Sequence, residues 1–411
     1  MRKLIFRPFF VLTTLSVLLS VITLAQPNQP TPVPDRVILN LTADPSSSVA
    51  VTWRIDTTVS ASFVELQQAS PLVNASAINS FAATTITLKY HWEEEPEIIS
   101  NHHSCILQGL EPGVKYVYRV GMQGNWSEWF QFEMPAEEDT AFSFIYLGDP
   151  QSDLKSQWSR AIRAAYSKDP SAAFIVYAGD LINRAGRDLE WHEWFEAGSF
   201  IYGMIPQVMT PGNHDYNYQI LDPYWKALFT LPQNGPRGLE GTCYVIDYKN
   251  LRLISIDSAA DSELRDEHGF KLTAQKDWLD SVLQANTKDW VIVVTHLPFY
   301  SPKENRDNAY LRQHFQPILE KYKVDMVLSG HDHSYARGRT TDNPGNGHEV
   351  MYVVSVSGPK MYEAGDKDWM EHSGSFKQLY QLITIDGKEL FYKAYTVDGE
   401  LFDQFKLTKN E

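Results

Sequence analysis

The sequence predicts an α/β domain of stacked layers over residues 140–411, preceded by an all-β sandwich over residues 35–136. Two patterns carry that reading. Over residues 35–136, short β-rich runs alternate with Gly, Pro, Asn and Ser, at the spacing of a sandwich of about one hundred residues. Beyond residue 140 the runs become continuously apolar, and helical stretches separate them. Strands covered on both faces read this way.

The chain opens with Arg2, Lys3 and Arg7, followed by an apolar stretch from Phe9 to Leu24 that closes on Thr23-Leu24-Ala25. Residues 1–25 therefore read as a secretory signal peptide, and 26–34 (QPNQPTPVP) as a Pro-rich linker. An uncleaved anchor is the alternative; the shortness of the run and its Ser and Thr content favour cleavage. No later stretch is long and apolar enough to span a bilayer, so no stable membrane span is expected after cleavage. The expected location is secreted or periplasmic. Lys plus Arg number 36 against 51 Asp plus Glu, a formal charge of -15, which gives no general reason to hold nucleic acid. Cys105 and Cys243 fall in different domains and read as free, buried thiols. Asn40-Leu41-Thr42, Asn74-Ala75-Ser76 and Asn125-Trp126-Ser127 are glycosylation sequons.

The expected sandwich strands are Val37–Leu39, Val49–Trp53, Thr85–Leu88, His103–Leu107 and Lys115–Val120, with Tyr116 and Tyr118 on one face. His102 and His103 are adjacent on a strand, point to opposite faces and read as structural. In the α/β part, Phe142–Leu147 is followed by a helix in which Leu154, Trp158, Ile162 and Tyr166 recur every four residues, with Ser152 or Asp153 as N-cap. Further apolar runs are Phe174–Ala178, Val208-Met209, Leu251–Ile256, Trp290–Thr295, Asp325–Ser329 and Met351–Val356.

Five of these runs end in metal-binding residue types: Gly148-Asp149, Gly179-Asp180, Gly212-Asn213-His214-Asp215, Thr295-His296 and Gly330-His331-Asp332-His333. The carboxyl ends of strands in open α/β sheets converge, so ligands scattered along the chain can meet. Carboxylate and amide oxygens with imidazole nitrogens suit Mn, Fe or Zn, and the lack of Cys ligands argues against a structural zinc site. The Gly before Asp149, Asp180, Asn213 and His331 reads as letting the backbone turn sharply beside the ions. Alone, a Gly-Asp pair is ordinarily a turn or cap, and a His-x-His is ordinarily two residues sharing a strand face. The ordered set is what points to a metal centre.

With these residues in this order, the chain resembles the calcineurin-like metallophosphoesterases, and most closely their purple acid phosphatase branch. Gly330-His331-Asp332-His333-Ser334-Tyr335-Ala336-Arg337 is similar to that branch's final motif, and Val51-Thr52-Trp53 and Trp126-Ser127-Glu128-Trp129 fit its N-terminal module. The resemblance implies a four-layer α/β/β/α sandwich behind a fibronectin-like domain, and hydrolysis of phosphate esters with two metal ions. It implies that Asp149, Asp180 and His333 hold the first ion, that Asn213, His296 and His331 hold the second, and that Asp180 bridges. Three departures stand out. The branch carries a Tyr three residues after the second Asp, which binds ferric iron and gives the purple colour; here that residue is Asn183. A colourless protein with two divalent ions (Mn, Fe or Zn) is therefore expected. Gln151 stands where the wider superfamily has a His, and is assigned as a metal ligand, the alternative being a hydrogen bond to a neighbouring group. Leu297 follows His296 where the superfamily often has a second His.

The expected reaction is attack of a metal-held hydroxide on phosphorus, in line with the leaving oxygen of a small phosphorylated substrate. His214 is assigned as the donor to the phosphoryl oxygen or leaving alkoxide, with Asp215 orienting it; a turn or cap role is the alternative for Asp215. Asn213, Arg184, Tyr216 and Arg337 are candidates for holding the substrate, against surface solvation as the default for the last three. A phosphomonoesterase is the leading reading. A phosphodiesterase or nucleotide pyrophosphatase on the same site is the rival, favoured by Gln151 and Leu297. A non-catalytic binding module is the third; loss of Asp180, Asn213 or His331 would have marked it.

Overall fold

Strands form where the sequence is β-branched and aromatic, and the first set packs as two facing sheets. The computed structural model describes residues 28–93, 95–137, 141–218, 220–259, 270–340 and 347–409, so the expected signal peptide lies outside the described residues. Asp35–Leu41, Ser48–Ile55, Ile98–Gln108 and Thr84–Tyr90 lie side by side. Opposite them run Asn79–Ala82, Phe63–Gln68, Lys115–Met122, Asn125–Trp126 and Phe130–Glu133. Val49, Val51, Trp53 and Ile55 face Val64, Leu66, Val120 and Phe130 across the gap, with Tyr116 and Tyr118 on that same inner face. His102 and His103 are structural: His103 stacks on Trp53 at 5.6 Å, and His102 Nε2 meets Ser100 Oγ at 3.0 Å. Burial keeps both imidazoles below their ordinary pKa, His103 at about 4.

Two larger sheets make the α/β part. Among the described residues, one runs in the order Leu401–Thr408, Glu389–Thr396, Leu379–Asp386, Phe142–Leu147, Ile175–Ala178, Gln207–Thr210. It does not stop there: Gln207 pairs with Asn40, and the sheet continues through Asp35–Leu41 into the N-terminal unit. The other holds Tyr244–Tyr248, Leu251–Ile256, Trp290–Thr295, Met326–Ser329, Val350–Val354, Tyr335–Thr340 and His372–Gly374. Alternate residues of this second sheet face opposite ways. Leu253, Ile292, Val294 and Leu328 meet Phe144, Tyr146 and Val176 between the sheets. Ile254, Val293 and Val327 instead meet Leu279, Leu283, Phe315 and Leu319 from the helices Phe270–Gln284 and Ala309–Lys321. Helices Ser159–Lys168 and Asp188–Gly198 cover the outer face of the first sheet, with Trp158 stacked on Trp194 at 6.1 Å. The result is the α/β/β/α layering.

Some expectations need correcting. Neither Ser152 nor Asp153 caps a helix with its side chain: both are left-handed, at φ 73° and 47°, and a π-helical turn, Leu154–Trp158, leads into the helix at Ser159. Cys105 is only half-buried, while Cys243 is buried; neither is bridged. Asn40 cannot serve a glycan in the folded chain. It is fully buried, its Nδ2 donates to the Gln207 carbonyl (3.1 Å), and its Oδ1 accepts from Thr230 N (3.1 Å).

The seam between the two units is polar as well as sheet-like. Arg36 donates from both terminal nitrogens to Asp188 at 2.8 Å, Arg54 reaches the same carboxylate at 3.4 Å, and Asn28 Nδ2 adds a contact at 3.1 Å. Tyr118 Oη donates to the Gly203 carbonyl at 2.7 Å.

Candidate metal centre

Parallel strands Phe142–Leu147, Ile175–Ala178 and Gln207–Thr210 in one sheet, and Trp290–Thr295 and Met326–Ser329 in the other, deliver their following residues to one point between the sheet ends. Delivery requires tight turns. Asp149, Asp180, His331 and His333 all adopt left-handed backbone, at φ 31°, 52°, 71° and 48°. Non-glycine residues rarely hold that conformation, and each instance costs about 1–3 kcal/mol that the surrounding packing must offset. Gly179, at φ 87°, fits the expected need for conformational freedom. Gly212 is required for a different reason: a Cβ there would sit 2.2 Å from Asp180 Oδ1.

His296 is the hub. Its Nδ1–H donates to the Ala178 carbonyl at 2.8 Å, which turns Nε2 inward. Nε2 then lies 3.0 Å from Asn213 Oδ1, 3.1 Å from His331 Nδ1 and 3.3 Å from Asp180 Oδ2. Lone-pair atoms converge in this way around a positive charge. Asp180, His296 and His331 offer ligand atoms that all lie within 4.8 Å of one another. Asp149 is fully buried, and neither of its carboxylate oxygens has a hydrogen-bond partner among the described residues; the His296 Nδ1 is 3.5 Å away. Burial pushes the Asp149 carboxyl well above the ordinary range. Burial also works to lower His296, but the charges of Asp180 and Asp149 override it and raise that imidazole to about 9. The two carboxylates thus favour positive charge at this point, and the donor set of oxygens and imidazole nitrogens fits a divalent metal.

Both carboxylate oxygens of Asp180 are engaged. Its Oδ1 accepts from His214 N at 2.8 Å, and its Oδ2 accepts from the Gln151 amide as well as facing His296. His333 Nδ1–H donates to the Lys360 carbonyl at 2.9 Å, which leaves Nε2 for a ligand role. Burial, with the Lys360 ammonium, lowers the His333 imidazole to about 3. Gln151 is held at both ends: Nε2 donates to Asp180, and Oε1 accepts from Lys360 Nζ at 2.9 Å. Flipping the amide would set its NH₂ against an ammonium and its oxygen against a carboxylate, so this orientation is fixed. The oxygen assigned to a metal therefore faces Lys360, which is the alternative contact weighed for Gln151.

Around the rim, His214 Nδ1–H donates to the Asn183 carbonyl at 2.7 Å. Asp215 does not orient that ring. It is buried, and its carboxylate accepts from Gly212 N (2.8 Å) and Leu181 N (3.1 Å), tying the second and third motif loops together. Its carboxyl oxygens thus satisfy backbone donors, the turn role that was the alternative. Tyr216 Oη donates to Asp257 at 2.5 Å. Arg184 is half-exposed, with Nε on Glu190 at 2.9 Å, beside a groove of about 720 Å³ lined by Ser152, Asn183 and Arg187. Arg337 is not brought to the cluster by any described contact: its guanidinium is held by Asp403 (2.7 and 3.0 Å) and Glu371 (2.5 Å). Tyr335 likewise donates to Asp403 at 2.6 Å. Sequence reading missed Lys360, although it too follows an apolar parallel strand.

Residues 142–335 match the calcineurin-like phosphoesterase family, and residues 34–134 match the purple acid phosphatase N-terminal domain. This is a calcineurin-like metallophosphoesterase domain joined to a purple-acid-phosphatase N-terminal domain. The Fe(3+)-Zn(2+) purple acid phosphatase 12 of Arabidopsis thaliana is 26% identical over 264 residues, 59% of this chain and 53% of that protein. Purple acid phosphatase 1 of Ipomoea batatas is 26% identical over 289 residues, 66% of this chain and 58% of that protein. The chain thus spans little more than half the length of these curated relatives. The purple acid phosphatase PPD1 from yellow lupin (Lupinus luteus) seeds superposes with a TM-score of 0.74 at 17% identity, covering 92% of this chain and 74% of that one, which shows a shared fold.

Proposed function

We propose that this metallophosphoesterase hydrolyses small phosphate monoesters, using two divalent ions at the strand ends. The observation that carries the reading is the convergence of Asp180, Asn213, His296 and His331 beside the buried carboxylate of Asp149, which has no hydrogen-bond partner among the described residues. Asp149, Asp180 and His333 would hold one ion, and Asn213, His296 and His331 the other, with Asp180 between them. Bound ions at these positions would lower the pKa of water and offset charge on the phosphoryl oxygens. His214, anchored through Nδ1 on Asn183, presents Nε2 to the rim. With Nδ1 carrying its proton to a carbonyl, Nε2 donates only as imidazolium; in that form it protonates the leaving oxygen. Asn213 and Arg184 would meet the substrate, and Tyr216, whose hydroxyl donates to Asp257, would line the rim.

A phosphodiesterase reading keeps one supporting observation. Leu297 is buried in the apolar layer, its N–H donating to Ser258 Oγ at 2.8 Å, so no second imidazole follows His296. Export is also proposed, on the basic start and apolar stretch of residues 1–25; no helix of the described residues is long and apolar enough to cross a membrane. The test is elemental analysis of protein purified without chelator, followed by a panel of aryl and alkyl mono- and diesters. About two equivalents of metal and preferential monoester turnover are expected. Metal-free protein, or turnover of neither class with added Mn, Fe or Zn, overturns the proposal.

A further inference from the structure

The strand Val350–Val354 is the parallel neighbour of Met326–Ser329, so its continuation must also arrive at the metal centre. That continuation is threaded between the turns that carry Asp149 and His333. Ser357 N donates to the Gly148 carbonyl at 2.6 Å and Gly358 N to the Asp149 carbonyl at 2.9 Å. Tyr362 N donates to the His333 carbonyl at 2.8 Å, and His333 Nδ1–H returns a bond to the Lys360 carbonyl at 2.9 Å. Only glycine allows this approach at position 358. A Cβ there would lie 2.5, 2.8 and 2.9 Å from the carbonyl oxygens of Asp149, Pro150 and Gln151. The backbone of Lys360 is therefore fixed by the same hydrogen bonds that fix two metal-ligand turns.

Its side chain is placed as deliberately. Nζ donates to the neutral Gln151 Oε1 at 2.9 Å, and Gln151 in turn reaches Asp180. Among the described residues Lys360 forms no ion pair, while cations elsewhere in this acidic chain are commonly matched with carboxylates. The Tyr362 ring, edge-on to His333 at 4.9 Å, carries Lys303 Nζ at 4.5 Å and Lys360 Nζ at 5.9 Å from its centroid. This side of the centre thus carries two ammonium groups, Lys303 and Lys360, that form no ion pair among the described residues. One neutral acceptor satisfies one of three N–H groups, and an anion satisfies the rest.

We propose that Lys360 is a phosphate-contacting residue: its ammonium takes a non-bridging oxygen of the substrate's phosphoryl group and favours the dianionic monoester over a monoanionic diester. This rests on the phosphomonoesterase reading above. The test uses the metal-loaded full chain and inorganic phosphate, with binding followed by calorimetry, alongside metal content and monoester and diester kinetics. Losing a hydrogen bond to a charged group should weaken phosphate binding about ten- to hundredfold in Lys360→Met. Metal content should stay at the wild-type level, the monoester-to-diester ratio of kcat/KM should fall, and Lys360→Arg should restore most of the phosphate affinity. Unchanged phosphate affinity in Lys360→Met overturns the inference, and so does loss of metal, which would make the residue a support of the Gln151–Asp180 contact. If Lys360→Met does not fold, Lys360→Gln gives the same reading. Failure of the wild type to bind phosphate or turn over either ester would sink the functional proposal itself; wild-type activity with an indifferent Lys360 sinks only this inference.

Discussion

Two buried aspartates, Asp188 at the seam between the units and Asp149 in the metal centre, meet opposite fates. Asp188 receives Arg36 through two nitrogens, Arg54 and Asn28. Asp149 receives no hydrogen bond on either carboxylate oxygen from the described residues. Burial alone would raise both. At Asp188 the guanidinium charges override it and hold the carboxyl at about 2; at Asp149 burial wins. The acid at the seam is answered by two guanidiniums and holds the fold together; the one at the strand ends has only the His296 ring, 3.5 Å away, and fits the ligand role proposed for it.

The sharpest way to break that comparison is Asp180→Asn, the residue placed between the two proposed ions. Turnover should fall by at least about a thousandfold, roughly 4 kcal/mol of barrier, with the melting curve of the metal-free protein little changed. Activity within about tenfold of wild type would remove Asp180 from the centre.

Asp188→Asn should do the reverse: it should leave metal content intact and lower stability by about 3 kcal/mol at neutral pH, because Arg36 and Arg54 lose their buried counter-charge. The sign of the pH dependence follows from the depressed carboxyl. Its stabilisation is present above the ordinary value of 3.8 and is lost as pH falls through about 2. Urea midpoints of wild type and variant should therefore converge as pH is lowered from 4 towards 2. A gap that stays constant over that range would show the effect is packing, not charge.

A smaller effect is expected at Gln151. Gln151→Ala should weaken metal retention in dialysis against a chelator by roughly tenfold, by releasing Asp180 from a fixed orientation. Asn183→Ala should weaken it less, because the contact at position 183 comes from the backbone carbonyl, which accepts from His214. A larger loss at 183 than at 151 would reverse the assignment of these two positions.

The smallest signal expected is optical. Asn183 offers no phenolate, and Tyr335, the motif tyrosine that could substitute, has its hydroxyl on Asp403. Iron-replete protein purified in air should be colourless. A strong absorption in the green region, abolished by changing a tyrosine such as Tyr362 beside His333, would show a phenolate ligand.

The convergence of the proposed ligands was readable because each of them follows an apolar run, and buried parallel strands announce themselves as such runs. The same criterion passed over Leu379–Asp386, Glu389–Thr396 and Leu401–Thr408. These are antiparallel strands at one end of the sheet, with Leu401–Thr408 as its edge, where burial tends to alternate and no continuous apolar run forms. Asp215 was misread because its partners are backbone N–H groups, one of them 34 residues distant, which no side-chain pattern encodes. Lys360 was passed over because lysine is a surface residue by default, and only the fold puts its strand end beside the others. The buried state of Asn40 was equally hidden, since a sequon reads the same on a loop as on a strand inside a sheet.

The continuous sheet has a consequence for a chain made from its N-terminus. Asn40 and its partner Gln207 are 167 residues apart. The strand Asp35–Leu41 is therefore finished early in synthesis but waits for its neighbour, with one edge open, until the first strands of the α/β part, through Gln207–Thr210, have emerged. Contacts so far apart in sequence close slowly, because loop-closure entropy must be met before they form. An open strand edge is meanwhile a template for pairing with other chains. The same holds in reverse for a fragment beginning at residue 140: it would keep all the proposed ligands yet bare the edge of Gln207–Thr210. Such a fragment should self-associate, and adding residues 28–137 as a separate chain should suppress that association.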